Sequence, residues 1–438
     1  MKISRLTMMP ALVLVLFTQC SKDNLTGESV NNNLATDALK KAVIPHGSYA
    51  ITVENVSVNY QFYASGVSGI PVGASAAGPA APGQSYKFSF HAGQAHMLSF
   101  ATMYGYSNDG FYAPGTAGIS LYQSDLKTPV TGDITSQVML WDDGTEVNQM
   151  PGASNAHNGA QQNVPVQLMS AVGDGFNYGS VNTNLKVTLA YDGNNMFTVT
   201  IDNLIGSTTA ISPVAWVIHT TPNPLFTVGM PDYGNGLKYI AQMGNATPLG
   251  QYLSGISGYV SPVAPVLWVL HDKKQMPIFT LGEPDYGIGL KMLAQLGDPG
   301  PLYLSLKAEG YITGTYATRD GGLGDGPLSP GQVYKFSVPG NGGDLLSLAC
   351  MLGNSNDSFF ANGQDGIKLS EVKAGEGQTL YMKLYDAGTQ VNEYPGARTQ
   401  AKVVEHANVA LLNDGFPWPA ASHVIKVTIR KNSNKEKD

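Results

Sequence analysis

The sequence predicts a mainly β protein made of two copies of one module, and two observations carry that expectation. LWDDGTEVNQMPG (Leu140 to Gly152) returns as LYDAGTQVNEYPG (Leu384 to Gly396), an acidic, glycine-containing turn between apolar runs with the same Pro-Gly exit. Repetition on this scale reads as duplication and fixes the architecture ahead of any propensity argument. Composition agrees. Charged residues are only 13% of the 438, against about 25% in an average soluble protein, and 51 glycines with abundant Asn, Ser and Thr mark a turn-rich chain.

The flanks repeat in the same order. SYKFSF (Ser85 to Phe90) answers VYKFSV (Val333 to Val338), and MLSFATMYGYSNDGFYAPGTAGISL (Met97 to Leu121) answers LLSLACMLGNSNDSFFANGQDGIKL (Leu345 to Leu369). Downstream, GDGFNYG (Gly173 to Gly179) answers NDGFPWP (Asn413 to Pro419), each followed by an alternating run, LKVTLA and IKVTIR. A net charge of -7 argues against a nucleic-acid partner, which needs a basic face.

Residues 1–20 read as a signal peptide. Lys2 and Arg5 precede an apolar run, Met8 to Phe17, that is too short to span a bilayer, and Cys20 follows. The segment resembles a bacterial lipoprotein signal, which implies lipidation of Cys20 and attachment to the outer membrane or cell surface through the lipid anchor. Gln19 departs from the small residues such signals prefer. Residues 21–47 are rich in Asn, Ser, Thr and Lys without periodicity and read as a flexible tether.

YAITVENVSV (Tyr49 to Val58) alternates apolar and polar residues as a half-buried strand does. MFTVTIDNL (Met196 to Leu204) starts again in the same way, with Asp202-Asn203 matching Glu54-Asn55. The sequence therefore places one module at 48–192 and the next at 196–432. The second carries a doubled insertion, 212–302, in which SPVAWVIHTTPNPLFTVGMPDYGNGLKYIAQMG is echoed by APVLWVLHDKKQMPIFTLGEPDYGIGLKMLAQLG. Leu237, Tyr239, Ile240 and Met243 against Leu290, Met292, Leu293 and Leu296 have helical spacing, which predicts short helices packed on a sheet. His219 and His271 end matching strands and read as satisfied by backbone groups, and Cys350, inside LLSLACML, reads as a buried hydrophobe.

The order of these segments, above all Asn108-Asp109 and the Trp-Asp-x-Gly-Thr-Glu turn, resembles the spondin N-terminal domain of bacterial proteins, in two tandem copies. The resemblance implies C2-like antiparallel β-sandwich modules, agreeing with the short alternating strands and Gly/Pro turns. It further implies a role in adhesion and a site that can hold calcium. Calcium takes about six to eight oxygen ligands. Asp142 and Glu146, on either side of Gly144, with Asp109 as the third carboxylate, form the candidate site, with Asp143, Asn108 and backbone carbonyls available to complete it. In the second copy these become Asp357, Asp386 and Gln390, which predicts a weaker site. The alternative is that Asp and Asn before Gly simply form turns, the reading given to Asp174 and Asp414.

No nucleophile elbow, HExxH or phosphate loop occurs in the sequence, and the expectation is a non-catalytic binding or adhesion protein with an unknown protein or glycan ligand. A carbohydrate-binding role, suggested by Tyr104, Tyr106, Phe111 and Tyr112, and a purely structural role are the alternatives.

Overall fold

Alternating strands that can bury only one face need a second layer, and the chain supplies two. The computed structural model describes residues 47–432 apart from 153, 374, 376 and 398–401; the signal segment, Cys20 and the tether up to residue 46 lie outside the described residues. The longer strands are β1 (Gly47–Asn55), β2 (Ala64–Ser68), β3 (Ser85–His91), β4 (Met97–Met103), β5 (Gly110–Pro114), β6 (Val138–Asp142), β7 (Leu185–Gly193), β8 (Met196–Asn203) and β9 (Val214–His219). After α1 (Leu237–Met243) and α2 (Thr247–Gly255) come β10 (Val266–His271), α3 (Leu290–Leu296), α4 (Gly300–Ala308) and β11 (Ile312–Tyr316). β12 (Val333–Gly340), β13 (Leu345–Met351), β14 (Ser358–Ala361), β15 (Gln378–Leu380), β16 (Lys383–Asp386) and β17 (Ile425–Lys431) complete the chain.

These strands form four antiparallel sheets, an all-β sandwich architecture repeated twice. In the first module a small sheet, β3-β8-β7 with the edge strand Gly132–Asp133, faces a larger one ordered β2-β9-β4-β5-β6. In the second module β12-β1-β17-β15 faces β11-β10-β13-β14-β16. Between the sheets of the first module lie Tyr86, Phe100, Tyr112, Val187, Phe197 and Ile201; Tyr49, Ile51, Val53, Tyr334, Phe360 and Val427 fill the second. The helices cover the outer face of each larger sheet, Leu237, Ile240, Leu249 and Leu253 packing on Phe111, Trp141 and Phe226. β4 is consequently buried on both faces, which is why MLSFATM reads as a nearly continuous apolar run.

The division of the chain differs from the one that sequence order suggests. β1 does not pair within the first module; it lies between β12 and β17, with Ile51 opposite Phe336 on one side and Ile429 on the other. Its counterpart β8 lies between β3 and β7, with Ile201 opposite Tyr86 and Val187. The helical units divide likewise, α1 and α2 with β9 joining the first module and α3 and α4 with β10 the second. The boundary at 192–196 is thus a hairpin inside the first module, and 212–302 is no double insertion in the second. Each module carries one helical unit. The first module is inserted into the second between β1 and β10, and the chain leaves and re-enters side by side, Gln61 and Phe62 donating to the Ile256 carbonyl and Gly258 to that of Phe62. All described residues belong to one compact unit.

Asn55 and Asn203 close their strands alike. The Asn55 amide donates to the carbonyls of Ser261 and Leu328, and that of Asn203 to those of Ala80 and Thr209. This topology makes a direct expectation for fragments. Residues 58–258 should unfold in one cooperative calorimetric transition, whereas 48–192, lacking β8 and β9, should not; cooperative unfolding of 48–192 alone would contradict the assignment.

Candidate cation site in each module

The site begins with a carboxylate used as a backbone clamp. Asp109 ends the loop before β5, and its neighbour Gly110 is in register with Asp142 on β6. Asp109 Oδ2 accepts from the backbone N–H of Thr145 at 2.7 Å and of Glu146 at 2.8 Å, and from the Thr145 hydroxyl at 3.0 Å. These bonds fold the Asp142–Glu146 turn onto β5. Gly144, at φ 68°, permits the fold, because a Cβ there would stand 2.3 Å from the Val164 carbonyl oxygen. Asp142 Oδ1 accepts from Gly144 N–H at 2.8 Å, and its Oδ2 from the Asn148 amide at 2.5 Å.

What remains unpaired is informative. Asp109 Oδ1 and Asn148 Oδ1 are buried and have no hydrogen-bond partner. Asp109 and Asp142 are both buried, and no described Lys, Arg or His forms an ion pair with either. Burial, and then repulsion from Asp142, pushes the Asp109 carboxyl up to about 6; burial with repulsion from Asp174 raises Asp142. An uncompensated buried carboxylate is costly, so such a group takes up a proton or a cation.

The second module repeats this atom for atom. Asp357 Oδ2 accepts from Thr389 and Gln390 N–H and from the Thr389 hydroxyl, Asp386 accepts from Gly388 N–H and the Asn392 amide, and Asp357 Oδ1 and Asn392 Oδ1 are left without partners. Burial and then Asp357 push Asp386 up to about 6, and burial raises Asp357. Asn148 and Asn392 were not singled out in the sequence. The signal was present all the same, since Val-Asn recurs in EVNQMPG and QVNEYPG.

Glu146 and Asn108 are engaged by neighbouring amides, while Asp143 stays close enough to Asp109 and Asp142 to feel both charges. The Glu146 carboxylate accepts from Gln161 at 2.7 Å and from Asn108 at 3.3 Å, while Asn108 is further tied to Gln149 and Asn155. Gln390, its counterpart, is buried with Oε1 unpartnered. Asp143 is fully buried with Oδ1 unpartnered, and burial, followed by the charges of Asp232 and Asp109, raises its carboxyl well above the usual range. The second module has Ala387 there. Asp174 and Asp414 make the expected turns, accepting from Phe176 and Phe416 N–H. Tyr104, Phe111 and Tyr112 are core residues and Tyr106 packs against the core, which removes the basis for a sugar platform on those rings. Cys350 is buried, its thiol pushed up to about 12 by desolvation.

One arrangement looks catalytic at first sight. His219 Nε2 lies 2.9 Å from Ser99 Oγ and its Nδ1 faces the Thr221 carbonyl; His271 repeats this with Ser347 and the Asp272 carbonyl. Both pairs are buried, and Gly118 caps His219 so closely that a Cβ would lie 2.7 Å from Nε2. Gly366 caps His271 and Ser347 in the same way, and these contacts read as strand-end hydrogen bonds.

Among the described residues no group of three or more His, Cys, Asp or Glu side chains is gathered as a metal site. The donors brought together here are instead two carboxylates and a carboxamide per module, a hard oxygen set suited to calcium rather than to a transition metal. No protein-family model and no curated protein matches the chain.

Two outcomes test these assignments. A carboxyl whose folded pKa is raised keeps its proton longer in the fold than in the unfolded chain. Its contribution is therefore full below about 4 and lost as pH rises through about 6. In chelator, melting temperature should accordingly fall between pH 4 and 7, and a flat profile would contradict the burial of these groups. Asp143→Ala, copying Ala387, should stabilise the metal-free chain at pH 7 by about 1–3 kcal/mol in chemical unfolding.

Proposed function

We propose that this chain is a non-catalytic binding or adhesion protein of the bacterial cell envelope, held by lipid on Cys20, whose two spondin-like modules are each braced by calcium. The observation that carries the calcium reading is the duplicated constellation of Asp109, Asp142 and Asn148 with Asp357, Asp386 and Asn392, in which the same buried oxygens lack partners. The lipoprotein-like start of the sequence and its resemblance to the spondin domain support the location and the adhesive role.

Bound calcium would neutralise the two carboxylates and tie β5 to β6, or β14 to β16, where the loops turn. Asp109 and Asp142, with Asn148, would hold it in the first module, and backbone carbonyls and water would have to complete a shell of six or more oxygens. The difference on which the sequence based unequal affinities, Glu146 against Gln390, falls on a side chain occupied by Gln161 and Asn108. The reading supported by the geometry is two sites of similar strength.

The test is thermal melting in calcium and in chelator. At calcium a hundredfold above Kd the gain is about 2.7 kcal/mol, roughly 5–10 °C for domains of this size. Asp142→Asn and Asp386→Asn should each abolish the shift of one module, and Glu146→Gln should leave both. A calcium shift that survives both Asp→Asn changes, or no shift in the unaltered chain, would overturn the brace.

A further inference from the structure

The insertion of one module into the other brings two sequence-distant loops together around a cavity of about 310 Å³, lined by Tyr63, Phe90, His91, His96 and Trp216 of the first module and Tyr394 of the second. That is the small end of the ~300–1,000 Å³ range of small-molecule sites. The join itself is tight: Gly93 packs so closely on Ala397 that a Cβ would collide with its backbone, and His91 stacks on Tyr394 with ring centroids 3.7 Å apart and planes within 3°. Tyr63 lies over His96 at the same spacing. Two ring pairs thus frame the cavity, with Phe90 and Trp216 as an apolar wall.

The polar atoms are few, and of them Ser89 and Tyr259 are engaged by Thr198 and Asn354. His96 is 4% exposed, and its Nδ1 accepts from Gly93 N–H at 3.0 Å. The proton of the neutral ring is therefore on Nε2, for which no described residue provides an acceptor. Burial and the nearby His219 hold this imidazole down at about 3, and burial lowers His91, so both are uncharged at neutral pH. The hydroxyls of Tyr63 and Tyr394 have no hydrogen-bond partner among the described residues. Among the described residues no Asp, Glu, Lys or Arg lines the cavity.

A charged ligand entering here would lose hydration without meeting an opposite charge among the described lining residues. A purely apolar one would leave the His96 N–H unpaired. A pyranose satisfies both conditions, because its C–H face suits aromatic rings while its hydroxyl rim supplies acceptors and donors. We propose that this inter-module cleft binds a single neutral hexose unit of a glycan, with His96 Nε2–H as the buried donor and the Tyr63 and Tyr394 rings as its walls. This deepens the binding-protein reading by naming a ligand class, and it can fail independently of the calcium brace.

The experiment is saturation-transfer NMR on the full chain with methyl β-glucoside, methyl β-galactoside and N-acetylglucosamine as neutral probes and glucuronate as a charged probe of similar size. At least one neutral sugar should bind saturably and glucuronate should not. His96→Phe should weaken that binding about tenfold, as should Tyr394→Ala. Tyr63→Phe keeps the stack on His96, guards against a folding artefact and should cost a smaller factor. Absence of binding by all three neutral sugars, equal binding of glucuronate, or affinity unchanged in the His96 and Tyr394 variants would overturn the assignment.

Discussion

Two carboxylates in each module face one another, Asp109 and Asp142 buried, Asp357 buried with Asp386 half-buried, and the loop end of the sandwich is shaped by that pairing. Asp109 and Asp357 spend one oxygen on backbone N–H groups that no strand partner could satisfy, holding the acidic turn in place. Their second oxygen is left over. A fold that needed only the turn could have used a neutral side chain, since an amide oxygen would accept the same bonds without a charge to bury. Both copies of the position nevertheless carry a carboxylate, Asp109 and Asp357.

The second constraint is topological. Because β1 is hydrogen-bonded between β12 and β17, the first module is held at both ends by the second and cannot swing as a bead on a linker would. The cleft between them lies where His91 of the first module stacks on Tyr394 of the second. Duplication thus gives two sandwiches with the same carboxylate-lined turn, and insertion gives the surface that neither sandwich has alone.

Much of this was legible in the sequence. The repeated turn announced the duplication, and the alternation in YAITVEN and MFTVTIDN marked strands that are indeed half-buried. Which copy each strand would join was not legible, because the two modules offer nearly identical edges and local pattern does not distinguish a neighbour in sequence from one in space. Asp109 and Asp142 could be named because carboxylates beside glycine stand out. Asn148 was hidden by its ordinary chemistry, and Glu146 drew attention that the structure transfers to its amide partners. Tyr104, Phe111 and Tyr112 looked like surface rings because their segment is rich in Gly and Asn, yet the sandwich closes over them.

The most direct test of the central claim is to count calcium ions on the intact chain by native mass spectrometry after buffer exchange from calcium. The account predicts two ions per chain, falling to one in Asp142→Asn and to one in Asp386→Asn. A chain that carries none, or one whose count ignores both substitutions, would show that the duplicated carboxylates hold protons and nothing more.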